Sequence, residues 1–260
     1  MAQARPAATC TVLGRSGAYP APGGAGRGYL LDAGTDEPVV LLGCGSGVVG
    51  RLGYHLRVPS ALGPVLLPDL RPDHASDLWS LGSLAAAAAA GGGRRGLLQV
   101  YAYQDPPEFW RRLARPGVLD VRRFGAADVV RAAGWRFSFT TALHPWPGVA
   151  VRADAPGGPA LGFVGLGALG PDLRALLQGV ALLVVEVGGP RDGEGLGLDE
   201  GLAGGMAAGA AAALAADCGA GRLLLAHLDP GEDAASLLAE ARAVRADATL
   251  ALEGRTYALT

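Results

Sequence analysis

Short runs of consecutive apolar residues, bounded by polar or Gly/Pro-rich turns, dominate the chain and predict buried β-strands. The run Val65-Leu66-Leu67 is typical, because it has no alternation of polar residues and therefore predicts a strand that is covered on both faces. The other predicted strands are 10–13, 29–31, 39–42, 97–101, 119–124, 135–143, 149–152, 161–163, 182–186, 223–225, 249–252 and 257–259.

Ala- and Leu-rich segments between these runs predict helices. The longest follows the polar turn 69–74 and runs to about residue 90, with Ser76 or Asp77 as the N-cap. Further helices are predicted up to about residue 54 and at 106–113, 171–177, 207–216 and 232–244. Strands followed by helices occur twice, which predicts an α/β sandwich of two sheets between helices, formed by one domain spanning residues 1–260.

Four polar residues that can carry chemistry lie on the single turn after the strand 65–67. They are Asp69, Arg71, Asp73 and His74. Open α/β sheets place ligand sites at the carboxyl ends of their strands, where such turns lie. The turn is therefore the first candidate for a functional site.

This turn resembles the His-x-His-x-Asp-His metal-binding signature of the metallo-β-lactamase superfamily. Asp73 and His74 match the signature, whereas Asp69 and Arg71 stand where its first two histidines belong. The glycine-rich opening and the turn that contains Cys44 resemble the ribonuclease Z-like and phosphodiesterase-like branch. The resemblance implies an αββα sandwich of the metallo-β-lactamase type and, in active members, a metal-dependent hydrolase with two divalent ions.

The resemblance also implies roles for distant residues. His144 matches a ligand of the first metal site, and His227 matches the last histidine ligand. Three other positions depart from the family pattern: Gly43 and Leu166 replace aspartates, and Gly205 stands where a further histidine is frequent. Leu166 would occupy the place of the residue that bridges the two metals.

These departures favour a pseudoenzyme that holds no metal and needs no cofactor. Arg71 cannot bind a metal, because a guanidinium stays protonated and has no free lone pair. Asp69 and Asp73 would repel each other without a cation, and an arginine can bridge two carboxylates. We therefore predict that Arg71 balances their charge, that Leu166 fills the remaining space, and that the fold serves in binding, regulation or scaffolding.

Two alternatives remain open. Asp73, His74 and His227 form a set of two imidazoles and one carboxylate that can hold one zinc, iron or manganese ion, with Asp69 as a base in a phosphodiesterase-like hydrolase. In that case His144 is a vestigial ligand. The other alternative is a metal-free pocket in which Arg71 and Asp69 bind an anionic ligand.

The composition of the chain excludes some classes of ligand and cofactor. The net charge is −2 and all 22 basic residues are arginine, which excludes a P-loop or Schiff-base lysine and gives no strong nucleic-acid signal. No apolar run is long enough to cross a bilayer. The separated cysteines Cys10, Cys44 and Cys218 indicate reduced, buried thiols in a cytoplasmic protein. The Ala-rich helices are candidates for a homodimer or a protein-partner interface.

Overall fold

The computed structural model describes residues 7–56, 61–92, 96–104, 117–142, 147–165, 172–188 and 206–260. The first of two mixed sheets has the strand order β14-β1-β2-β3-β4-β5-β6. Strands β14 to β3 pair antiparallel in that order, and β3 to β6 pair parallel. Its strands are β1 (Thr9–Gly14), β2 (Gly28–Asp32), β3 (Val39–Leu42), β4 (Leu62–Leu67), β5 (Leu98–Tyr103), β6 (Leu119–Phe124) and β14 (Thr256–Ala258).

The second sheet has the order β13-β12-β11-β10-β9-β8-β7 and repeats the same plan. Strands β7 to β10 pair antiparallel, and β10 to β13 pair parallel. Its strands are β7 (Val129–Ala132), β8 (Trp135–Ala142), β9 (Gly148–Asp154), β10 (Ala160–Val164), β11 (Leu182–Glu186), β12 (Leu223–Ala226) and β13 (Thr249–Leu250).

Helices cover the outer face of each sheet. Those against the first sheet are α1 (Val48–His55), α2 (Pro72–Ala75) and α3 (Leu78–Ala90), and those against the second are α4 (Leu173–Leu177), α5 (Ala208–Asp217) and α6 (Ala234–Val244). None of the helices in the described part of the chain is long and apolar enough to span a membrane.

Three apolar cores follow from these layers. In β4, Leu66 packs into the core between the two sheets, whereas Val65 and Leu67 pack under the helices of the first sheet. Successive strand residues point to opposite faces, so a continuous apolar run is what a strand covered on both faces requires. The predicted αββα architecture is confirmed.

The predicted helix after the polar turn is confirmed as α3, but the polar turn itself contains a short helix, α2, that was not predicted. Pro72 begins the single turn α2, and α3 begins at Leu78 after a break at Ser76 and Asp77. Asp77 is the N-cap residue of α3, but its carboxylate accepts a hydrogen bond from the backbone N–H of Val49 at 2.9 Å. The predicted helix 106–113 lies outside the described residues.

The three cysteines are free and buried, as predicted. Burial raises the pKa of the Cys10 thiol to about 12 and raises that of Cys44 as well. Such thiols are protonated at neutral pH and therefore poor nucleophiles.

Candidate metal centre

The candidate site lies where the carboxyl ends of strands from both sheets meet. Asp69 follows β4, Glu186 is the last residue of β11, and His227 follows β12. Asp69 is held between the sheets because it forms a β-bridge with Gly148, at the start of β9. The two halves of the chain therefore each contribute acidic or imidazole side chains to one place.

His74 is the fully buried centre of this group. Its Nδ1 atom lies 2.7 Å from Asp69 Oδ1, and its Nε2 atom lies 3.1 Å from Asp73 Oδ2. Burial and the nearby Arg27 lower the pKa of His74, but the negative charges of Asp69 and Glu186 outweigh them and raise it above its ordinary value. These carboxylates therefore favour the imidazolium form more than water does for a free histidine.

A buried arginine that the sequence analysis did not select supplies most of the positive charge. Arg27 is 1% exposed. Its Nη2 atom lies 2.7 Å from Asp69 Oδ2, and its Nη1 atom lies 3.3 Å from Glu186 Oε2. Burial lowers the pKa of Arg27, but the two carboxylates raise it further, so the guanidinium stays charged.

The prediction that Arg71 bridges Asp69 and Asp73 was wrong. The Arg71 side chain contacts Asp73 alone of these two, with Nε 3.3 Å from Oδ1, and only its backbone N–H reaches Asp69, at 3.1 Å. Arg71 is the N-cap of α2 in an extended conformation. The Arg71 side chain lies beside Asp73. The Asp69 carboxylate is contacted instead by Arg27, the residue that precedes β2.

Two glycines leave the space that the Arg27 side chain occupies. A Cβ atom at Gly43 would lie 3.1 Å from Arg27 Cγ, and one at Gly165 would lie 3.3 Å from Arg27 Nη1. The guanidinium carbon also lies 5.2 Å from the centre of the Phe163 ring, which is a cation–π distance. Gly43 is the position at which the sequence resemblance places an aspartate, so Arg27 packs against the space that this carboxylate would need.

The carboxylates of the turn are held in their charged forms. Burial raises the pKa of Asp69, but Arg27 and His74 lower it well below its ordinary value. Burial likewise raises the pKa of Asp73, and its contacts with His74 and Arg71 lower it. The centre is therefore a network of charged groups in which cations of the protein itself neutralise buried anions.

His227, which follows β12 of the second sheet, is the remaining member of this group. Its φ of 65° places it in the left-handed region, and its backbone N–H donates to the carbonyl oxygen of Arg15 at 2.8 Å. Histidine is among the residues found more often than most in this region. Its Nδ1 atom is buried with no hydrogen-bond partner among the described residues, and burial lowers its pKa. Neutral His227 has a nitrogen available for a ligand.

The donor atoms fit one metal ion. The ligand atoms of Asp73, His74 and His227 lie within 4.8 Å of one another, and they form the one such group among the described residues. A metal there would require His74 to lose its proton, because an imidazolium cannot coordinate. It would also have to lie near the positive charge of Arg27. His144, Leu166 and Gly205 lie outside the described residues.

Glu186 and Arg27 are the two members of the centre that sequence reasoning missed. Glu186 was identified only as the end of a predicted strand, and Arg27 was assigned to an irregular loop. One available signal was the pair of glycines on either side of Arg27, which allow close approach of the backbone.

Comparison with known proteins places the fold. No family model matches the chain. The uncharacterised protein Rv1339 of Mycobacterium tuberculosis is 27% identical over 251 residues, covering 90% of this chain and 85% of that protein. The metallo-β-lactamase fold protein YhfI of Bacillus subtilis superposes with a TM-score of 0.84 at 23% identity, covering 97% of this chain and 99% of YhfI.

The short form of human tRNase Z superposes with a TM-score of 0.72 at 17% identity, covering 97% of this chain and 99% of that protein. The chain therefore has the metallo-β-lactamase fold, and its structural neighbours include a ribonuclease Z, as the sequence resemblance implies.

Proposed function

We propose that this protein is a non-hydrolytic pseudoenzyme of the metallo-β-lactamase fold that serves as a binding, regulatory or scaffold protein. The observation that carries the proposal is the buried Arg27, whose guanidinium contacts Asp69 and Glu186 at 2.7 and 3.3 Å. In this proposal an internal cation performs the charge balance that metals perform in active relatives.

The chemistry of the groups supports this proposal. Metal-dependent hydrolysis needs a cation that lowers the pKa of a bound water and neutralises charge that develops on the substrate. A guanidinium has no open coordination position and stays protonated, so it cannot activate water in this way. His74 is engaged at one nitrogen, because its Nδ1 atom lies 2.7 Å from Asp69 Oδ1, whereas its Nε2 atom has no hydrogen-bond partner among the described residues.

Metal content and turnover test the proposal directly. We expect the protein purified without added metal to contain well below one zinc, iron or manganese ion per chain, measured by inductively coupled plasma mass spectrometry. We also expect no hydrolysis of bis(p-nitrophenyl) phosphate above the buffer rate. About two metal ions per chain together with turnover would contradict the proposal, since that is the composition of a working two-metal site.

The runner-up function is a hydrolase with one metal ion on Asp73, His74 and His227. The convergence of their ligand atoms favours it, as does the Nδ1 atom of His227, which has no hydrogen-bond partner among the described residues. Such an ion would supply Lewis-acid activation of water, and Asp69 is the nearby carboxylate that could accept a proton. Phosphodiesters are the substrate class implied by the sequence resemblance.

The substitution His227→Ala separates the two functions. If the runner-up is right, this variant loses both the bound metal and the phosphodiesterase activity that the wild type shows with added zinc or manganese. His55→Ala, on α1, is the matched control and keeps both. Unchanged turnover in His227→Ala would refute the one-metal hydrolase.

A third candidate function is the binding of an anionic ligand at Arg71. Its Nη1 atom is buried and has no hydrogen-bond partner among the described residues, although its other nitrogens face Asp73. An anionic ligand could satisfy this donor. This possibility is compatible with a binding protein and does not need a metal.

A further inference from the structure

A cavity lies outside the candidate metal centre. Its volume is about 390 Å³, which is in the size range of small-molecule sites. Its lining includes the segment that follows β1 and the segment that precedes α6, with Arg15, Ser16, Pro22, Asp229, Glu232 and Glu253. Asp73, His74 and His227 do not line it.

Hydrogen bonds hold the walls of this cavity in place. Glu253 Oε1 accepts from the backbone N–H groups of Ala25 at 3.1 Å and Arg15 at 3.4 Å, and Glu253 Oε2 pairs with Arg51 at 2.9 Å. Arg51 also donates to the carbonyl oxygen of Gly23. The long loop between β1 and β2 is thereby tied to the turn before β14.

The opposite wall is tied to the same loop. Asp229 Oδ1 accepts from the backbone N–H of Ala18 at 2.7 Å, and the backbone N–H of Asp229 donates to Glu232 Oε2 at 2.9 Å. A preformed cavity costs little conformational entropy when a ligand enters it. These bonds also fix the direction of the Asp229 carboxylate.

One cation and one anion on these walls lack ionic partners. Within the described ranges, the Nη1 atom of Arg15 is shielded from solvent and has no hydrogen-bond partner. The Asp229 carboxylate accepts from the backbone N–H of Ala18 and makes no ion pair with a described residue. The two residues line one cavity without pairing with each other. A buried donor without a partner is costly, so a ligand that offers an acceptor to Arg15 would gain from that contact, and a positive group on the same ligand would pair with Asp229.

From this arrangement we infer that the cavity binds a small zwitterion of the amino-acid type. The carboxylate of the ligand pairs with the Arg15 guanidinium, and its ammonium group pairs with the free oxygen of Asp229. Such charge-assisted hydrogen bonds are the stronger class in proteins. The backbone of Arg15 also accepts from the N–H groups of His227 and Leu228, at 2.8 and 3.0 Å, so the ligand would rest against the segment that positions His227.

Thermal shift with the twenty L-amino acids, each at millimolar concentration, is the first test. We expect at least one to raise the unfolding temperature of the wild type, because a ligand of the native state stabilises it. Titration calorimetry then measures its affinity. No shift with any of the twenty would overturn the inference.

Two variants and two ligand analogues locate the binding. We expect Arg15→Gln and Asp229→Asn each to weaken the affinity at least about tenfold, whereas Arg122→Gln, on the exposed strand β6, leaves it unchanged. If a variant does not fold by circular dichroism, the wild type still decides: the amide and the N-acetyl derivative of the same amino acid must each bind at least about tenfold more weakly. Equal affinities across both comparisons would place the ligand elsewhere and refute the site.

Discussion

Arg27→Met is expected to destabilise the protein by about 3–5 kcal/mol, the usual cost of removing one partner from a buried ion pair. The substitution keeps most of the side-chain volume but removes the guanidinium that contacts both Asp69 and Glu186. Urea denaturation followed by circular dichroism measures the free energy of unfolding. The cost arises because two buried carboxylates then share a site of low dielectric.

An exposed arginine provides the matched control. Arg122 pairs with Asp120 at 2.8 Å on the solvent side of β6, and solvent screens such pairs, so Arg122→Met should change the stability little. Adding Asp69→Asn and Glu186→Gln to Arg27→Met should recover much of the loss, since it removes the unbalanced charges. If Arg27→Met costs no more than Arg122→Met, the guanidinium is not what balances this centre.

Gly45→Ala is the second large effect, with an expected loss of about 3 kcal/mol in the free energy of unfolding, at the upper end of ordinary overpacking. A Cβ atom at this position would lie 2.7 Å from the carbonyl oxygen of Asp73 and 2.8 Å from the backbone nitrogen of Arg27. Both are backbone atoms, so they cannot move aside as a flexible side chain does. The substitution would push the Arg27 segment away from the turn that carries Asp73 and His74.

Gly50→Ala gives a control of the opposite sign. Gly50 lies within helix α1, and a Cβ atom there would meet nothing within 4 Å. Alanine should therefore stabilise the helix by about 0.5–1 kcal/mol through its better helix propensity. The same denaturation experiment measures both variants. Similar effects of the two substitutions would mean that the backbones around Gly45 are not in close contact.

The strands and the layers of the fold could be predicted from the local pattern of apolar residues. The run Val65-Leu66-Leu67 was predicted as a strand covered on both faces, and Leu66 indeed packs between the sheets while its neighbours pack under helices. The pattern was less informative at the polar turn, because Pro72 begins a short helix there that was not predicted. A proline is well tolerated at a first helical position but does not by itself predict a helix.

Part of the candidate site could also be predicted from the sequence. Asp69, Asp73 and His74 lie within six positions, so a strand followed by a short helix brings them together by local geometry alone. His227 was identified through the family resemblance, and the structure places it beside His74 with ring centres 5.6 Å apart. The identity of the balancing cation was predicted wrongly, because the nearest arginine in sequence, Arg71, was chosen.

The amino-acid sequence by itself determined that the chain builds two apolar sheets and that acidic and imidazole groups end one of their strands. Only the tertiary structure decided which guanidinium meets those groups. Arg27 and Glu186 are 159 positions apart, and they meet because the carboxyl ends of strands from both sheets converge on one edge of the sandwich. Desolvation at that edge makes the charges depend strongly on their partners, and which side chains are desolvated together is a property of sheet packing, not of local sequence.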